Sequence, residues 1–382
     1  MEWLLIAVAT CLLASCPVKG DDWRWEYEEG LRHYSEEALK KEYPEKTRPA
    51  NFKHPLFRCP DMSASISIPN SIEMVKAADI KVIAALGDSL TTAIGANATT
   101  VLGIPIEFRH VSWSNLPGQT RHLIDTLKTY EGVNFDEDWK LLTILIGMND
   151  ICDYCKDKSL FSVENFVHYM TVSLEMLMNE VPRMIVNVVQ ILPMETLREV
   201  QKPTPGCLLQ RSFCSCLVKP ATGSADLKEL IEINLQFQNA LEQLLYSNRF
   251  FKSDFAVILQ PFLKFADPPR HPDGKIDMSF FTPDCFHFTM KGHEELAKGL
   301  WNNMFQPEGE KLMVESFSTP IQLMCPPVDH PYIYTKPNAV KIGQSPQPSP
   351  PASGGLHLAT VLSPMTALAF LLFWWASSMA SL

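Results

Sequence analysis

Four short apolar runs mark the middle of the chain. They are IKVIAAL (80–86), LLTILIG (141–147), IVNVVQIL (185–192) and FAVILQ (255–260), and they are rich in β-branched residues. A continuous apolar run of this length is typical of a strand that is buried on both faces of a parallel sheet. The pattern therefore predicts parallel strands with neither face exposed to water.

Amphipathic stretches lie between and after these runs. Residues 165–180 and 225–246 place apolar side chains three and four positions apart, and residues 291–303 form a final helix candidate. Strands that alternate with helices indicate an α/β domain built on a doubly wound parallel sheet. Such sheets bind ligands beyond the carboxyl ends of their strands, so polar residues at those ends are candidates for chemistry.

Composition divides the chain into five parts. The predicted parts are a secretory signal peptide (1–20), an N-terminal extension (21–60), the main α/β domain (61–305), a Pro-rich stalk (306–355) and a C-terminal membrane-anchor signal (356–382). The first part is an apolar run too short to span a bilayer. The last part is apolar and carries no charge from Met365 to Leu382, which fits either a GPI-attachment signal or a transmembrane helix.

Charge and cysteine content narrow the class of protein further. The net charge of −10 and the lack of a basic cluster exclude a nucleic-acid partner. Outside the signal peptide there are eight cysteines: Cys59, Cys152, Cys155, Cys207, Cys214, Cys216, Cys285 and Cys325. An even number in an exported chain predicts disulfides, although their pairing stays open. Zinc binding by the Cys-x-x-Cys pair is disfavoured, because no histidine pair follows at finger spacing.

The export signals also predict a location. The chain enters the secretory pathway and lies on the outer, apical face of the plasma membrane, anchored at its C-terminus. Asn97-Ala98-Thr99 is a glycosylation sequon in this compartment.

Three motifs fall at strand ends or just before the last helix. Gly87-Asp88-Ser89-Leu90 follows the first apolar run, and a serine in that turn is expected to be exposed at the top of the sheet, before a helix. Asn149 follows the second run, and its side-chain N–H is a good donor to an oxyanion, together with the backbone N–H of Ser89. Alone, each motif is equally consistent with a helix cap or a turn.

The third motif supplies a base for the serine. His287 can remove the proton of Ser89, and Asp284, three residues earlier, can accept a hydrogen bond from the other imidazole nitrogen. His293 is a rival base and Asp88 a rival orienting carboxylate, although the side chain of Asp88 is expected to point away from the serine.

Together these segments resemble the GDSL, or SGNH, hydrolases, and within them the membrane-associated phospholipase B group. The stretches that carry the resemblance are DIKVIAALGDSLTTAIGA (79–96), DWKLLTILIGMNDICDYC (138–155) and PDCFHFTMKGHEELAKGLWNNM (283–304). The resemblance implies a three-layer, flavodoxin-like doubly wound fold in a single main domain. It also implies a Ser89 nucleophile, a His287 base, an Asp284 orienter and an Asn149 oxyanion donor.

The resemblance also implies a substrate class. We expect a serine carboxylic-ester hydrolase that acts on phospholipids, lysophospholipids and related glycerides at a membrane surface, without a metal or organic cofactor. GDSL folds host several ester chemistries, so an esterase for acetylated sugars is a further alternative.

One family block is shortened in this chain, which carries a single copy of a domain that its group repeats in tandem. Ser112-Trp113-Ser114 runs almost at once into the next helix, and only 60 positions separate Ser89 from Asn149. The family block with the oxyanion glycine lies in this interval, and Gly118 is the nearest, weak candidate for it. Residues 106–113 (IEFRHVSW) are a candidate for the remaining strand. The alternative function is therefore a surface glycoprotein that keeps the fold and has impaired catalysis.

Overall fold

A computed structural model describes residues 57–98, 100, 104 and 111–335. The chain divides into two units after Val340, and all described residues belong to the first. The expected signal peptide, residues 21–56 of the N-terminal extension, residues 336–355 of the stalk and the anchor signal lie outside the described residues. None of the helices in the described ranges combines the length and the apolar character that crossing a membrane requires.

The described residues contain one five-stranded sheet. Its strands are β1 (Ile80–Gly87), β2 (Trp139–Leu145), β3 (Met184–Val189), β4 (Phe251–Lys252) and β5 (Phe255–Gln260). Their order is β1-β2-β3-β5-β4, and all neighbours are parallel except the short β4, which runs antiparallel to β5. The four predicted strands are confirmed, each within about two residues at its start.

Seven α-helices surround the sheet in the described part of the chain. They are α1 (Leu116–Thr129), α2 (Met148–Asp153), α3 (Val163–Glu180), α4 (Pro205–Phe213), α5 (Ser215–Val218), α6 (Ala225–Leu245) and α7 (Met290–Met304). The two longest begin after serine N-caps, Ser162 and Ser224, whose hydroxyls each accept a backbone N–H of the first turn at 3.3 Å. The three predicted helices are confirmed as α3, α6 and α7.

The two faces of the sheet carry alternate residues of each strand. On one face, Leu142, Val186 and their neighbours pack against α1, α3 and α6 in the main core. On the other face, Ile185 and Ile258 pack with α7 and with the chain around Ile72 in a second core. Because strand side chains alternate between faces, both layers of helices are buried against the same strands. The predicted three-layer, doubly wound α/β fold is confirmed.

Burial of β1 differs from the expectation. Lys81, Ile83 and Ala85 are exposed, and Ile83 retains 78% of its accessible surface. Among the described residues β1 pairs only with β2, so it lies at the edge of the sheet, and no described segment covers this part of its face. The prediction of burial on both faces was wrong for β1, because an apolar run does not reveal whether a neighbour covers it. Of the candidate strand 106–113, residues 111–113 form no strand and the rest lie outside the described residues.

The structure of residues 306–335 also differs from the expectation. They were expected to form the start of an extended stalk, yet Phe317 and Ile333 are buried and the backbone N–H of Ile333 donates to Val75 O at 2.9 Å. A disulfide also joins Cys325 to Cys59. The apolar side chains and the cysteine hold this Pro-rich segment against the domain, which therefore extends beyond residue 305.

All eight cysteines among the described residues form disulfides. The pairs are Cys59–Cys325, Cys152–Cys214, Cys155–Cys216 and Cys207–Cys285. The expectation of disulfides rather than zinc ligands is confirmed. Two of the four pairs join α2 and its C-terminal end to the α4–α5 region, so they fix the chain that follows the Asn149 turn.

Two truncations in the sheet are expected to lower the free energy of unfolding by different amounts, because Leu142 of β2 is buried and Ile83 of β1 is exposed. Leu142→Ala removes a fully buried side chain and is expected to lower the free energy of unfolding by about 2–5 kcal/mol. Ile83→Ala removes an exposed side chain and is expected to change it by no more than about 0.5 kcal/mol. Urea unfolding with the disulfides intact measures both, and similar losses at the two positions would contradict the exposure of this face of β1.

Candidate active site

The turn that carries Ser89 begins where β1 and β2 end. Gly87 has φ +152°, and a Cβ at this position would lie 2.1 Å from the carbonyl oxygen of Leu145 on β2. Only glycine allows this approach without displacing the backbone. The hydroxyl of Thr91 donates to the same carbonyl at 2.8 Å. These contacts hold Ser89 at the carboxyl edge of the sheet, as the sequence predicts for a ligand site in an α/β fold.

Two expectations about this turn were wrong. Residues 88–97 form successive turns and no helix, because Ala93 (φ +53°) and Gly95 (φ +71°) adopt left-handed backbone conformations. No helix dipole therefore acts on the serine from its own turn. Ser89 is also buried, with 1% of its surface accessible, since its hydroxyl points to the side chain of His287, which is itself fully buried.

Ser89, His287 and Asp284 form one continuous chain of hydrogen bonds. Nε2 of His287 lies 2.7 Å from Oγ of Ser89, and Nδ1 of His287 lies 2.6 Å from Oδ2 of Asp284. A neutral imidazole with its proton on Nδ1 donates to the carboxylate and accepts the serine hydroxyl. The geometry is thus that of a nucleophile, a general base and an orienting carboxylate.

The loop around Asp284 fixes this carboxylate. Its Oδ1 accepts backbone N–H groups of Phe286 and His287, each at 3.1 Å, and the hydroxyl of Thr282. Charged acceptors with several donors are held strongly in one orientation. Thr282 was missed at the sequence level, although a threonine two residues before an aspartate is a signal for such a turn.

Helix α4 supports the same loop from behind. The Cys207–Cys285 disulfide joins the first turn of α4 to the residue after Asp284. A Cβ on Gly206 would lie 1.8 Å from the carbonyl oxygen of Pro283, so helix and loop are in close backbone contact. Phe213 packs edge-on against Phe286 at a centroid distance of 5.6 Å. The base and its carboxylate are therefore attached to a helix and not to a free loop.

The rival residues play no direct part in this chain of hydrogen bonds. His293 is half-buried on α7, and its Nε2 has no partner among the described residues. Burial, and to a smaller extent His287, lower the pKa of His293. Asp88 points away from the triad as expected, and its Oδ1 accepts the backbone N–H of Leu90 at 3.0 Å.

Asp88 and Asp150 form a pair of buried carboxyl groups outside the triad. Burial raises the pKa of Asp88 to about 7, against weaker opposing hydrogen bonds from backbone N–H groups. Burial, and next the nearby Asp88, raise the pKa of Asp150 well above its usual range. Asp150 accepts the backbone N–H of Trp113 at 3.4 Å on both oxygens. Asp88 and Asp150 are the chain neighbours of Ser89 and Asn149, and neither belongs to the triad.

The candidate oxyanion donors are only partly assembled. Nδ2 of Asn149 donates to the carbonyl oxygen of Val111 at 2.9 Å, which leaves the second hydrogen of this amide for another acceptor. The backbone N–H of Ser89 has no acceptor among the described residues. Gly118 lies exposed in the first turn of α1, and no described contact joins it to the triad.

The arrangement supports acyl transfer. A serine hydroxyl with a hydrogen-bonded imidazole and a buried carboxylate is the constellation of nucleophilic ester and amide hydrolysis. Within the described ranges, no cluster of three or more His, Cys, Asp or Glu side chains has a geometry suited to a metal ion.

A comparison with protein-family models decides which serine hydrolase family this geometry represents. The model for the GDSL-like lipase/acylhydrolase family matches residues 83–300, which include the second half of β1, the Ser89 turn, Asn149 and the Asp284–His287 loop. The chain belongs to this GDSL family. The GDSL resemblance seen in the sequence is thereby confirmed.

Among curated proteins, the chain is similar to three mammalian phospholipases B1. "Phospholipase B1, membrane-associated" of Homo sapiens is 36% identical over 74% of this chain, and those of Mus musculus and Rattus norvegicus are each 33% identical over 78% of it. The alignments cover 23%, 24% and 25% of these relatives. The chain thus spans about a quarter of the length of the relatives it matches.

The buried Asp88 predicts a pH dependence of stability. Its folded pKa of about 7 lies above the ordinary value of 3.8, so between these pH values the folded chain keeps a proton that the unfolded chain loses. The free energy of unfolding therefore falls as pH rises from about 4 to 7. Asp88→Asn is expected to flatten this slope, and the exposed Asp136→Asn is the control. Urea unfolding at several pH values tests it, and an unchanged slope in Asp88→Asn would be the contrary result.

Proposed function

We propose that this protein hydrolyses the acyl esters of phospholipids, lysophospholipids and related glycerides, with phospholipase A and lysophospholipase activity. The observation that carries the proposal is the unbroken hydrogen-bond chain from Ser89 through His287 to Asp284 at the carboxyl edge of the sheet. Membership of the GDSL-like lipase/acylhydrolase family and similarity to phospholipases B1 support this choice of ester.

Each residue of the triad has a defined part in the proposed reaction. Oγ of Ser89 attacks the acyl carbonyl carbon while Nε2 of His287 takes the hydroxyl proton, and Asp284 stabilises the imidazolium. The tetrahedral intermediate collapses when His287 gives that proton to the leaving alcohol of the glycerol backbone. Water, deprotonated in turn by His287, then attacks the acyl-enzyme. His287 returns this proton to Oγ of Ser89 as the fatty acid leaves. The backbone N–H of Ser89 and the second amide hydrogen of Asn149 donate to the oxyanion.

Burial of the triad favours an ester with an apolar acyl chain as the substrate. Ser89 is 1% exposed and the other two residues are fully buried, so the reacting carbonyl must leave water before it meets the nucleophile. A buried site strengthens the electrostatic contacts within it. Transfer of an attached fatty acyl chain out of water is favourable because its surface is apolar, and this offsets the cost of desolvating the ester carbonyl.

The cellular location is proposed from the disulfides and from the similarity to named relatives. Four disulfides and the similarity to membrane-associated relatives support a secreted or membrane-associated protein. We place it on the outer, apical face of the plasma membrane, with residues 356–382 as the anchor signal and the membrane surface as the source of substrate. Asn97 is exposed, as a glycan-bearing residue must be.

A catalytically impaired surface glycoprotein is the second candidate. The contact between Nδ2 of Asn149 and the carbonyl oxygen of Val111 favours it, because this donor is partly occupied. The removal of one oxyanion donor costs about 2.7–4 kcal/mol of transition-state stabilisation, or about 10²–10³ in rate. A loss of that size leaves a slow hydrolase, so the first candidate retains measurable activity.

Fatty-acid release by the exported full-length chain tests the proposal. We expect release from lysophosphatidylcholine and phosphatidylcholine, and a loss of at least about 10⁴-fold in Ser89→Ala and His287→Gln. The matched control is His293→Gln, which removes the neighbouring half-buried imidazole and is expected to leave the rate close to that of the wild type.

Two outcomes would redirect the assignment. A folded chain that cleaves acetylated sugars and not lipids would indicate a different ester class at the same triad. A folded chain that cleaves neither class of ester would favour the catalytically impaired surface glycoprotein.

A further inference from the structure

The end of β1 has a neighbour on its open side that is not a strand. Oε1 of Gln119 accepts the backbone N–H of Gly87 at 2.9 Å, and Nε2 of Gln119 donates to the carbonyl oxygen of Gly87 at 3.0 Å. Both backbone groups of Gly87 are thus bound by a single side-chain amide. Gly87 is the last residue of β1 and precedes Ser89 by two positions.

This contact replaces what a neighbouring strand supplies. The N–H and C=O of one strand residue point to the same side, and those of Gly87 point away from β2, toward the edge where no described strand pairs. A primary amide carries one acceptor and donors in the geometry of a peptide group. The Gln119 side chain therefore satisfies the edge as one residue of an adjacent strand does.

Helix α1 holds Gln119 in place. Gln119 lies in its first two turns, where Leu116 and Thr120 are fully buried on either side. Further along, Ile124 and Leu127 of the same helix are buried in the main core. A side chain on a docked helix is a firmer support for backbone than one on a loop.

The other side of the same backbone is held by β2. Gly87 pairs with Leu145, and the backbone N–H of Asp88 donates to Leu145 O at 3.4 Å. Gly87 is therefore clamped between a strand on one side and the Gln119 amide on the other. Without the amide, the residue from which the Ser89 turn departs has lateral support on one side only.

We propose that Gln119 is a positioning residue for the nucleophile: its amide takes the place of an adjacent strand at the end of β1 and so fixes the backbone that presents Ser89 to His287. The role rests on the proposed function only in that Ser89 must be the nucleophile, whatever ester it attacks. Displacement of a reacting group by about 1 Å costs about 10²-fold in rate, so a loss of this clamp is expected to act on the chemical step.

Two variants separate this role from general stability. Gln119→Met keeps side-chain length and helix propensity and loses both hydrogen bonds. Gln119→Glu keeps the acceptor for the N–H of Gly87 and loses the donor to its carbonyl oxygen. Lys128→Met is the matched control on the same helix, because it removes a contact with α3 and none with β1.

The measurements are kcat and KM on a small activated ester, and the rate at which a fluorophosphonate inactivates each folded variant. We expect kcat and the inactivation rate to fall about 10- to 100-fold in Gln119→Met, with an intermediate fall in Gln119→Glu. KM is expected to stay close to that of the wild type in both, and Lys128→Met is expected to match the wild type throughout.

Opposite results overturn the proposal in distinct ways. Unchanged kcat and inactivation rate in folded Gln119→Met, or the same loss in Lys128→Met, would show that the amide does not position Ser89. If Gln119→Met does not fold, wild-type rates in Gln119→Glu would overturn it. A wild type that is inactivated but cleaves no lipid ester refutes the proposed substrate alone, whereas a wild type that is not inactivated refutes the nucleophile and its positioning together.

Discussion

The hydrogen bond of 2.7 Å between Ser89 and His287 joins residues 198 positions apart, and the rest of the site depends on it. It forms only if the end of β1 and the loop before α7 arrive at the same edge of the sheet. The parallel register of β1 and β2 determines the first position, and the hydrogen bonds to Asp284 and the Cys207–Cys285 disulfide determine the second. The fold is in this sense a means of holding two short loops within hydrogen-bond distance.

The sequence predicted most of this arrangement because its signals are local. Apolar runs gave the four main strands, and helical spacing gave α3, α6 and α7. The Asp284–His287 spacing gave a pair that the structure joins at 2.6 Å. Each of these features depends on residues close together in the chain, where the period of burial or the reach of one turn decides the outcome.

What the sequence could not predict depends on distant neighbours. The exposure of Ile83 follows from the absence of a covering segment among the described residues, which an apolar run does not encode. The contact of Gln119 with Gly87 spans 32 positions and leaves no pattern in the chain. The packing of Phe317 and Ile333 likewise depends on residues distant in the chain, since their backbone N–H groups donate to the carbonyl oxygens of Asp267 and Val75, and composition alone favoured a stalk. The turn after Ser89 was mistaken for a helix, since left-handed alanine at position 93 is rare.

The edge of β1 is the critical part of the molecule, because no described strand pairs with β1 on that side. The triad is complete on the side of β2, β3 and the Asp284 loop, whereas the side of β1 depends on α1 and the Gln119 amide. The oxyanion donors show the same asymmetry, because Asn149 is present and Gly118 lies apart on α1. We expect His287 to activate Ser89 nevertheless.

Peptide mapping after treatment with a fluorophosphonate tests whether Ser89 is activated. The reagent forms a covalent adduct only with a serine that a base has activated, so its location identifies the nucleophile without any assumption about the natural ester. We expect a single adduct on the peptide that contains Ser89, and no adduct when His287 is replaced by alanine. An unmodified Ser89 in the folded, exported wild-type chain, or an adduct on another serine, would contradict it.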